Sequence, residues 1–247
     1  MKFENILKKA SAAVAGTVVF LLAAGMYLSL KGFVFTNNGQ IVLVKDAQAN
    51  PLLGGSPSEL TTPIADNIAL TLPEDKVLGK KNAPLALYEF SSFGCTHCAD
   101  FHLDTLPELQ KEFIDSGKLK VIFAPFPLDR KSMQAAMIAS CIPAENYYDY
   151  IKTVFKNQRE WALSARSDQV LADFAAHNGI SKETALKCLK NDKIAEEILD
   201  IRHQGIDKLN IQGTPSFLLI ANGKKEMIYG APSYPVLKNL LLQKLAH

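Results

Sequence analysis

The pattern of apolar and polar positions changes texture several times along the chain. After Lys2, Lys8 and Lys9, residues 10–30 form an uncharged, mostly apolar run of about 20 residues, the length a helix needs to cross a bilayer core. From Thr36 to about Pro73 the sequence turns to Asn, Gly, Pro, Ser and Thr, which reads as a tether over 36–73. The short apolar stretch 41–44 inside it is either a strand or a continuation of the membrane-proximal segment. A globular pattern starts near Leu72. Residues 84–90 predict a strand, Ser91-Ser92-Phe93-Gly94 a turn, and Cys95 the start of a helix with Phe101, Leu103, Leu106 and Leu109 on its apolar stripe. This helix is expected to reach Ser116-Gly117, kinked by Pro107 and capped by Gly117. Residues 119–123 predict a second strand, parallel to the first because a helix separates them, which makes a right-handed βαβ unit.

Between Asp129 and about Leu209 the period is helical throughout, with helices expected over 131–142, 145–157, 168–178, 182–191 and 193–205. Pro143 and Gly179 mark breaks, and Ser167 and Ser181 are candidate N-caps. Strand signals return at 216–220, turn at Asn222-Gly223 and continue at 225–229, a hairpin cue. An amphipathic helix over 233–246 closes the pattern, and no internal repeat is visible. The chain therefore divides into residues 1–35, the tether 36–73, an α/β unit made of 74–128 and 206–247, and an all-helical block, 129–205, inserted into it.

Composition narrows the chemistry. The 247 residues are 48% hydrophobic and 21% charged, enough for one ordinary core. The net charge is +2 with no basic tract in the body of the chain, which argues against nucleic acid as a partner. Positive charge ahead of the apolar run places the N-terminus in the cytoplasm and everything after Lys31 across the membrane, where disulfides persist. The run is longer than a usual secretory core, which favours an uncleaved anchor over a cleaved signal, although Ala47-Gln48-Ala49 supplies an A-x-A site far downstream. Leu22-Ala23-Ala24-Gly25 resembles the start of a lipobox, but Met26 stands where the lipidated cysteine belongs, so no lipid anchor is expected.

Four cysteines with a single Cys-x-x-Cys make neither a disulfide scaffold nor a zinc ribbon. Cys95 falls at the N-terminus of the first helix, where unpaired amides and the macrodipole favour an anion, and Cys98 lies one turn inside, within reach of a disulfide. Such a pair exchanges electrons, and needs no metal or organic cofactor to do so. A copper or zinc module built on Cys95, His97 and Cys98 is a rival, but three ligands in one turn make a poor geometry without a fourth donor. An inert surface scaffold is the other rival.

The run Glu89-Phe90-Ser91-Ser92-Phe93-Gly94-Cys95-Thr96-His97-Cys98, followed far downstream by Gly213-Thr214-Pro215-Ser216-Phe217, resembles DsbA-type thiol-disulfide oxidoreductases. The likeness extends from about Asp75 onward through Val77-Leu78-Gly79, Ala83-Pro84, Phe126-Pro127-Leu128 and Gly230-Ala231-Pro232-Ser233-Tyr234. It implies a thioredoxin fold with the helical block inserted, and the element order is similar. It also implies a cis Thr214–Pro215 bond facing the cysteines, with the Thr214 backbone pairing with substrate; the plain alternative is an ordinary turn. His97 would stabilise the Cys95 thiolate with its imidazole, or else be a solvated polar residue. Glu89 would relay the Cys98 proton from a buried site, or else face solvent at a sheet edge.

Thr96 and Thr214 would tune this chemistry and contact substrate. Resembled oxidases often carry Pro and Val there, and isomerase-type relatives carry Thr before the cis proline, so a reductase or isomerase remains the alternative. Some family members carry a second bridge in the helical domain, which makes a Cys141–Cys188 disulfide the expectation against two buried thiols. The resemblance further implies a bacterial periplasmic enzyme that puts disulfides into unfolded exported proteins and is reoxidised by a quinone-linked DsbB-type membrane partner. Tyr147, Tyr148, Tyr150 and Trp161 read as packing rather than a cofactor box.

Overall fold

The computed structural model describes residues 33–35, 41–43, 60–65 and 67–246. The apolar run 10–30 lies outside them, and no helix among the described residues is long and apolar enough to cross a membrane. Strands β1 (Phe33–Phe35) and β2 (Ile41–Leu43) pair antiparallel, Phe33 opposite Leu43, so most of the stretch 41–44 is a strand.

The larger unit, residues 56–247, is built on six strands: β3 (Thr62–Ile64), β4 (Val77–Leu78), β5 (Leu85–Ser91), β6 (Leu119–Pro125), β7 (Ser216–Ala221) and β8 (Lys224–Tyr229). Their order in the sheet is β3-β8-β7-β5-β6-β4. β5 and β6 run parallel from Leu85 opposite Leu119 to Ser91 opposite Pro125, and every other pairing is antiparallel. β5 is buried at every position, with helices or chain on both faces. Leu85 and Leu87 pack with Phe113, Leu237 and Leu241 on one face, while Ala86, Tyr88 and Phe90 pack with Leu209, Ile211 and Met227 on the other. By strand alternation Glu89 belongs to the face of Leu85 and Leu87. It is fully buried there, which disposes of the sheet-edge alternative.

Helix α1 (96–114) crosses that face. It alternates α-turns, Thr96–Asp100 and Leu106–Leu109, with wider π-turns, Phe101–Thr105 and Gln110–Ile114. Pro107 has no N–H and crowds the carbonyl four residues back, and the helix answers by opening a π-turn just ahead of it. Gly117, at φ +77°, ends the element, with its amide and that of Lys118 closing on Ile114 and Phe113 carbonyls at 2.9 and 2.8 Å.

The helical block comprises α2 (Arg130–Cys141), α3 (Tyr147–Lys156), α4 (Gln158–Leu163), α5 (Ser167–Ala176), α6 (Lys182–Cys188) and α7 (Asp192–Leu209). Ser181 caps α6 by accepting from the Thr184 amide at 3.1 Å. Ser167 is no cap: it is the first helical residue of α5 and buried, and Arg166 precedes it. Helix α4 was not legible, because it has six residues and buries only Trp161. Helix α7 runs past Gly205 to Leu209, and Asn210 at φ +52° stops it. The Asn222-Gly223 turn has both residues at positive φ, +51° and +76°, as a two-residue hairpin of the primed kind requires. Helix α8 (Tyr234–Leu245) closes the fold.

One finding alters the organisation expected from sequence, and a second bears it out. Residues 60–73 are not free tether: β3 pairs with β8, and Leu60, Ile64, Leu70 and Leu72 lie against the sheet's apolar clusters. The Gln204 side chain also grips both the Thr71 amide and carbonyl, at 2.7 and 3.1 Å. The polar composition of the stretch masked four apolar contacts spread too widely to show a period. In the helical block, Cys141 at the end of α2 and Cys188 at the end of α6 are joined as a disulfide, with Cα atoms 6.6 Å apart. Replacing both (Cys141→Ala with Cys188→Ala) is expected to lower unfolding stability by about 4 kcal/mol, the chain-entropy value for a loop of this size. Denaturant unfolding of the variant beside the parent, with the other cysteine pair held oxidised in both, measures it.

Candidate active site

The end of β5 delivers the chain to α1 through a turn held from several sides. The Cys95 amide closes on the Ser92 carbonyl at 3.0 Å, and the Ala99 amide on the Cys95 carbonyl at 3.2 Å, so Cys95 is the N-cap of α1. From the helical block, Gln158 at the start of α4 donates its side-chain amide to the Phe93 and Cys95 carbonyls, at 2.7 and 3.0 Å. Asp129 caps α2 and orients the Ser132 hydroxyl, which accepts from the Gly94 amide at 3.1 Å. A side chain at residue 94 would sit 2.6 Å from that hydroxyl, so the approach requires glycine. Phe93 stacks on Phe123 and packs against Phe155, at ring separations of 4.9 and 5.2 Å, anchoring the turn from below.

On this frame the two sulfurs are unequal. Cys95 is partly exposed and Cys98 fully buried, and both are free thiols in this structure. The Cys95 thiol is pulled down to about 5, chiefly by the hydrogen bond its anion receives from the Cys98 side chain. Partial burial opposes this, while the Thr214 side chain and the backbone amides of Cys98 and His97 add to it. Burial pushes the Cys98 thiol far up, and the hydrogen bond to Cys95 and the charge of Glu89 raise it further.

The loop before β7 faces these sulfurs. Thr214–Pro215 is a cis peptide. The Cys95 sulfur lies 3.2 Å from the Thr214 carbonyl oxygen, which accepts from the thiol. The Thr214 hydroxyl is buried with no other partner, and it is the group that favours the thiolate. Beside it opens a cleft of about 350 Å³ lined by Gln212, Gly213, Thr214, Pro215, Tyr229 and Gly230.

A cysteine pair at a helix N-terminus, opposed by a cis proline loop and roofed by a helical insertion, agrees with what the comparisons find. The thioredoxin family model matches residues 71–234. The chain belongs to the thioredoxin family, in its DsbA-type branch. It is 30% identical to Wolbachia pipientis alpha-DsbA1, with a TM-score of 0.65 over 73% of this chain and 96% of that one. To oxidised BdbD of Bacillus subtilis it is 26% identical, with a TM-score of 0.62 over 70% and 94%. It is 29% identical over 184 residues to a Rickettsia prowazekii protein named, provisionally, as a protein-disulfide oxidoreductase, covering 74% of this chain. The matched segment spans 53% to 65% of the length of that protein and of four further rickettsial relatives.

Within this DsbA-type site, Cys95, Cys98, Thr214 and Pro215 come together as a unit. Thr96 begins α1 on the exposed side of the pair. His97 is placed differently from expectation: its ring is exposed and turned to the Asp100 carboxylate, 3.6 Å away, so that what it gives Cys95 is a backbone amide. The carboxylate one turn on competes for the imidazole, and spacing to Cys95 alone did not reveal it. Glu89 is buried behind Cys98 as expected, but it is not alone, since His102 Nε2 lies 2.8 Å from its Oε2. Sequence reasoning missed His102 and Gln158. The first was within reach, because it stands four residues after Cys98 and so shares its helix face. Among the described residues no group of three or more His, Cys, Asp or Glu side chains forms a metal-binding cluster.

Thiolate absorbance of the reduced protein is expected to titrate with a midpoint near 5. Cys98→Ala should raise that midpoint by about 1–2 units, the worth of a hydrogen bond to a charged group, and by more than His97→Ala does. The depressed folded value also sets a pH dependence. The reduced protein gains stability relative to the disulfide form as pH rises from about 5 to about 9, and loses that gain below 5. Thermal unfolding of the two redox forms side by side checks the sign.

Proposed function

We propose that the protein is a thiol-disulfide oxidoreductase of the dithiol-oxidase kind, which transfers its Cys95–Cys98 disulfide to exported proteins. The observation that carries this reading is the inequality of the two sulfurs, one favoured as an anion at the surface and the other buried and protonated. A substrate thiolate attacks the accessible Cys95 sulfur, and the electron pair of the Cys95–Cys98 bond passes to Cys98, which takes up a proton. A second substrate thiolate then attacks the substrate sulfur of the mixed disulfide. Cys95 departs as its stabilised anion, leaving an oxidised substrate and a dithiol enzyme. The Thr214 backbone beside the cleft is the pairing site for an extended substrate segment.

The relatives' names support the reading: one Bacillus subtilis relative, 28% identical over 180 residues, is named disulfide bond formation protein D. Lys2, Lys8, Lys9 and the apolar run 10–30 support an anchored protein with its catalytic unit in the periplasm. There a quinone-linked DsbB-type membrane protein would accept the electrons. Thr214 before the cis proline supports the second reading, a reductase or isomerase of the same fold.

One experiment separates the two. The full-length oxidised protein is mixed with a dithiol peptide, and its equilibrium with glutathione buffers is measured. The oxidase reading expects stoichiometric peptide oxidation, lost in Cys95→Ala, and a potential nearer the DsbA value of about −120 mV than the thioredoxin value of about −270 mV. A potential at or below the thioredoxin value overturns it and selects the reductase. Accessibility of Cys95 to a membrane-impermeant thiol reagent in intact spheroplasts tests the location.

A further inference from the structure

Four buried side chains meet where α1 crosses β5. Glu89 and Ser91, two apart on the strand, share one face, and Cys98 and His102, four apart on the helix, point back at them. Glu89 and Cys98 are 0% exposed, Ser91 1% and His102 4%. His102 Nε2 and Glu89 Oε2 are 2.8 Å apart, whereas Glu89 Oε1 has no hydrogen-bond partner. The Ser91 hydroxyl, likewise without an oxygen or nitrogen partner, faces the Cys98 sulfur and favours its anion.

The surroundings leave Glu89 little choice of partner. Its neighbours in the sheet are Phe123 on β6 and Phe217 on β7, so neither adjacent strand offers a cation. The His102 ring is itself boxed by Phe155, Phe101 and Phe123, at 4.5, 5.7 and 5.9 Å. A lone carboxylate in such a place is costly, and one mobile proton shared between carboxyl and imidazole makes the pair neutral. The other titratable groups around the pair are Cys98 on α1 and Tyr147 and Tyr148 on α3, whose hydroxyls burial keeps protonated. The pair is thus a store for one proton, set behind the sulfur that needs one.

We infer that His102 is a positioning residue for disulfide exchange: it holds Glu89 behind Cys98 and keeps the proton that Glu89 hands to the Cys98 sulfur. The inference rests on the exchange reading above. As a substrate thiolate bonds to Cys95, the Cys95–Cys98 bond breaks with its electron pair on Cys98, and the stored proton moves from Glu89 to that sulfur. The pair is left as carboxylate and neutral imidazole until solvent returns a proton. When Cys98 later attacks to re-form the disulfide, it gives its proton back by the same route.

The test is the rate at which the full-length oxidised protein, in mild detergent, forms a mixed disulfide with a monothiol peptide between pH 4.5 and 9, expressed per substrate thiolate. The wild-type rate constant is expected to fall with rising pH once the shared proton is withdrawn. His102→Gln keeps an N–H donor for Glu89 but carries no exchangeable charge. Glu89 keeps its carboxyl there but loses the imidazole that positions it and shares its proton, so the profile should no longer follow that of the wild type and should be about hundredfold slower on the acid side. The double variant with Glu89→Gln should be no slower than either single variant, because the two residues act as one. A His102→Gln profile that overlays the wild type, or single effects that multiply in the double variant, overturns the inference. If His102→Gln fails to fold, histidine-selective NMR of the wild type decides. The His102 ring should titrate differently in the oxidised and reduced proteins, and identical titration in both states overturns the inference. No Cys95-dependent exchange in the wild type would overturn the exchange reading itself, a result distinct from an active wild type matched by its variant.

Discussion

Everything at this site follows from a hydrogen bond between two sulfurs placed on opposite sides of the protein surface. The Cys98 thiol donates to the Cys95 sulfur, so that negative charge on the outer atom is held by the inner one. The arrangement works because one helical turn carries the chain from a partly exposed N-cap to a position with no exposure at all. Shift the start of α1 by one residue and both sulfurs would change environment. The Gln158, Ser132 and Phe93 contacts hold the turn in that register from three directions, two of them contributed by the helical block. The insertion is therefore part of the site's frame as well as its roof.

The sheet supplies the rest by strand order alone. β5 ends at the cysteine turn and β7 begins just after Pro215, and because they are antiparallel neighbours, with Phe90 opposite Ser216, residues more than a hundred apart in sequence face each other. Thr214 then meets Cys95 with two groups of opposite sense. Its carbonyl oxygen suits the thiol and its hydroxyl suits the anion, so the same residue serves the sulfur in either charge state.

Much of this was legible in sequence wherever a period or a turn chemistry dominated. The strand of 84–90, the Asn222-Gly223 hairpin, Gly117 and the Cys-x-x-Cys at a helix start all rest on local rules, and each stands in the fold. What failed to show depends on partners that local rules do not choose. The His97 ring could turn to Cys95 or to Asp100, and only the packed structure decides between them. His102 has meaning only once α1 is known to cross the Glu89 face of β5. Gln158 sits on a helix too short to carry a period, and residues 60–73 bind through scattered apolar contacts that a polar composition conceals.

The strand within that last segment bears on how the sheet meets other chains. β3 covers the outer side of β8, so the sheet ends in three residues at one rim and, at β4, two at the other. Pro63 stands in the middle of β3, where it has no amide to offer a further strand. An extended backbone approaching either rim meets only a strand of two or three residues on which to lengthen the sheet. Rims this short, one of them interrupted by proline, disfavour edge-to-edge pairing between molecules.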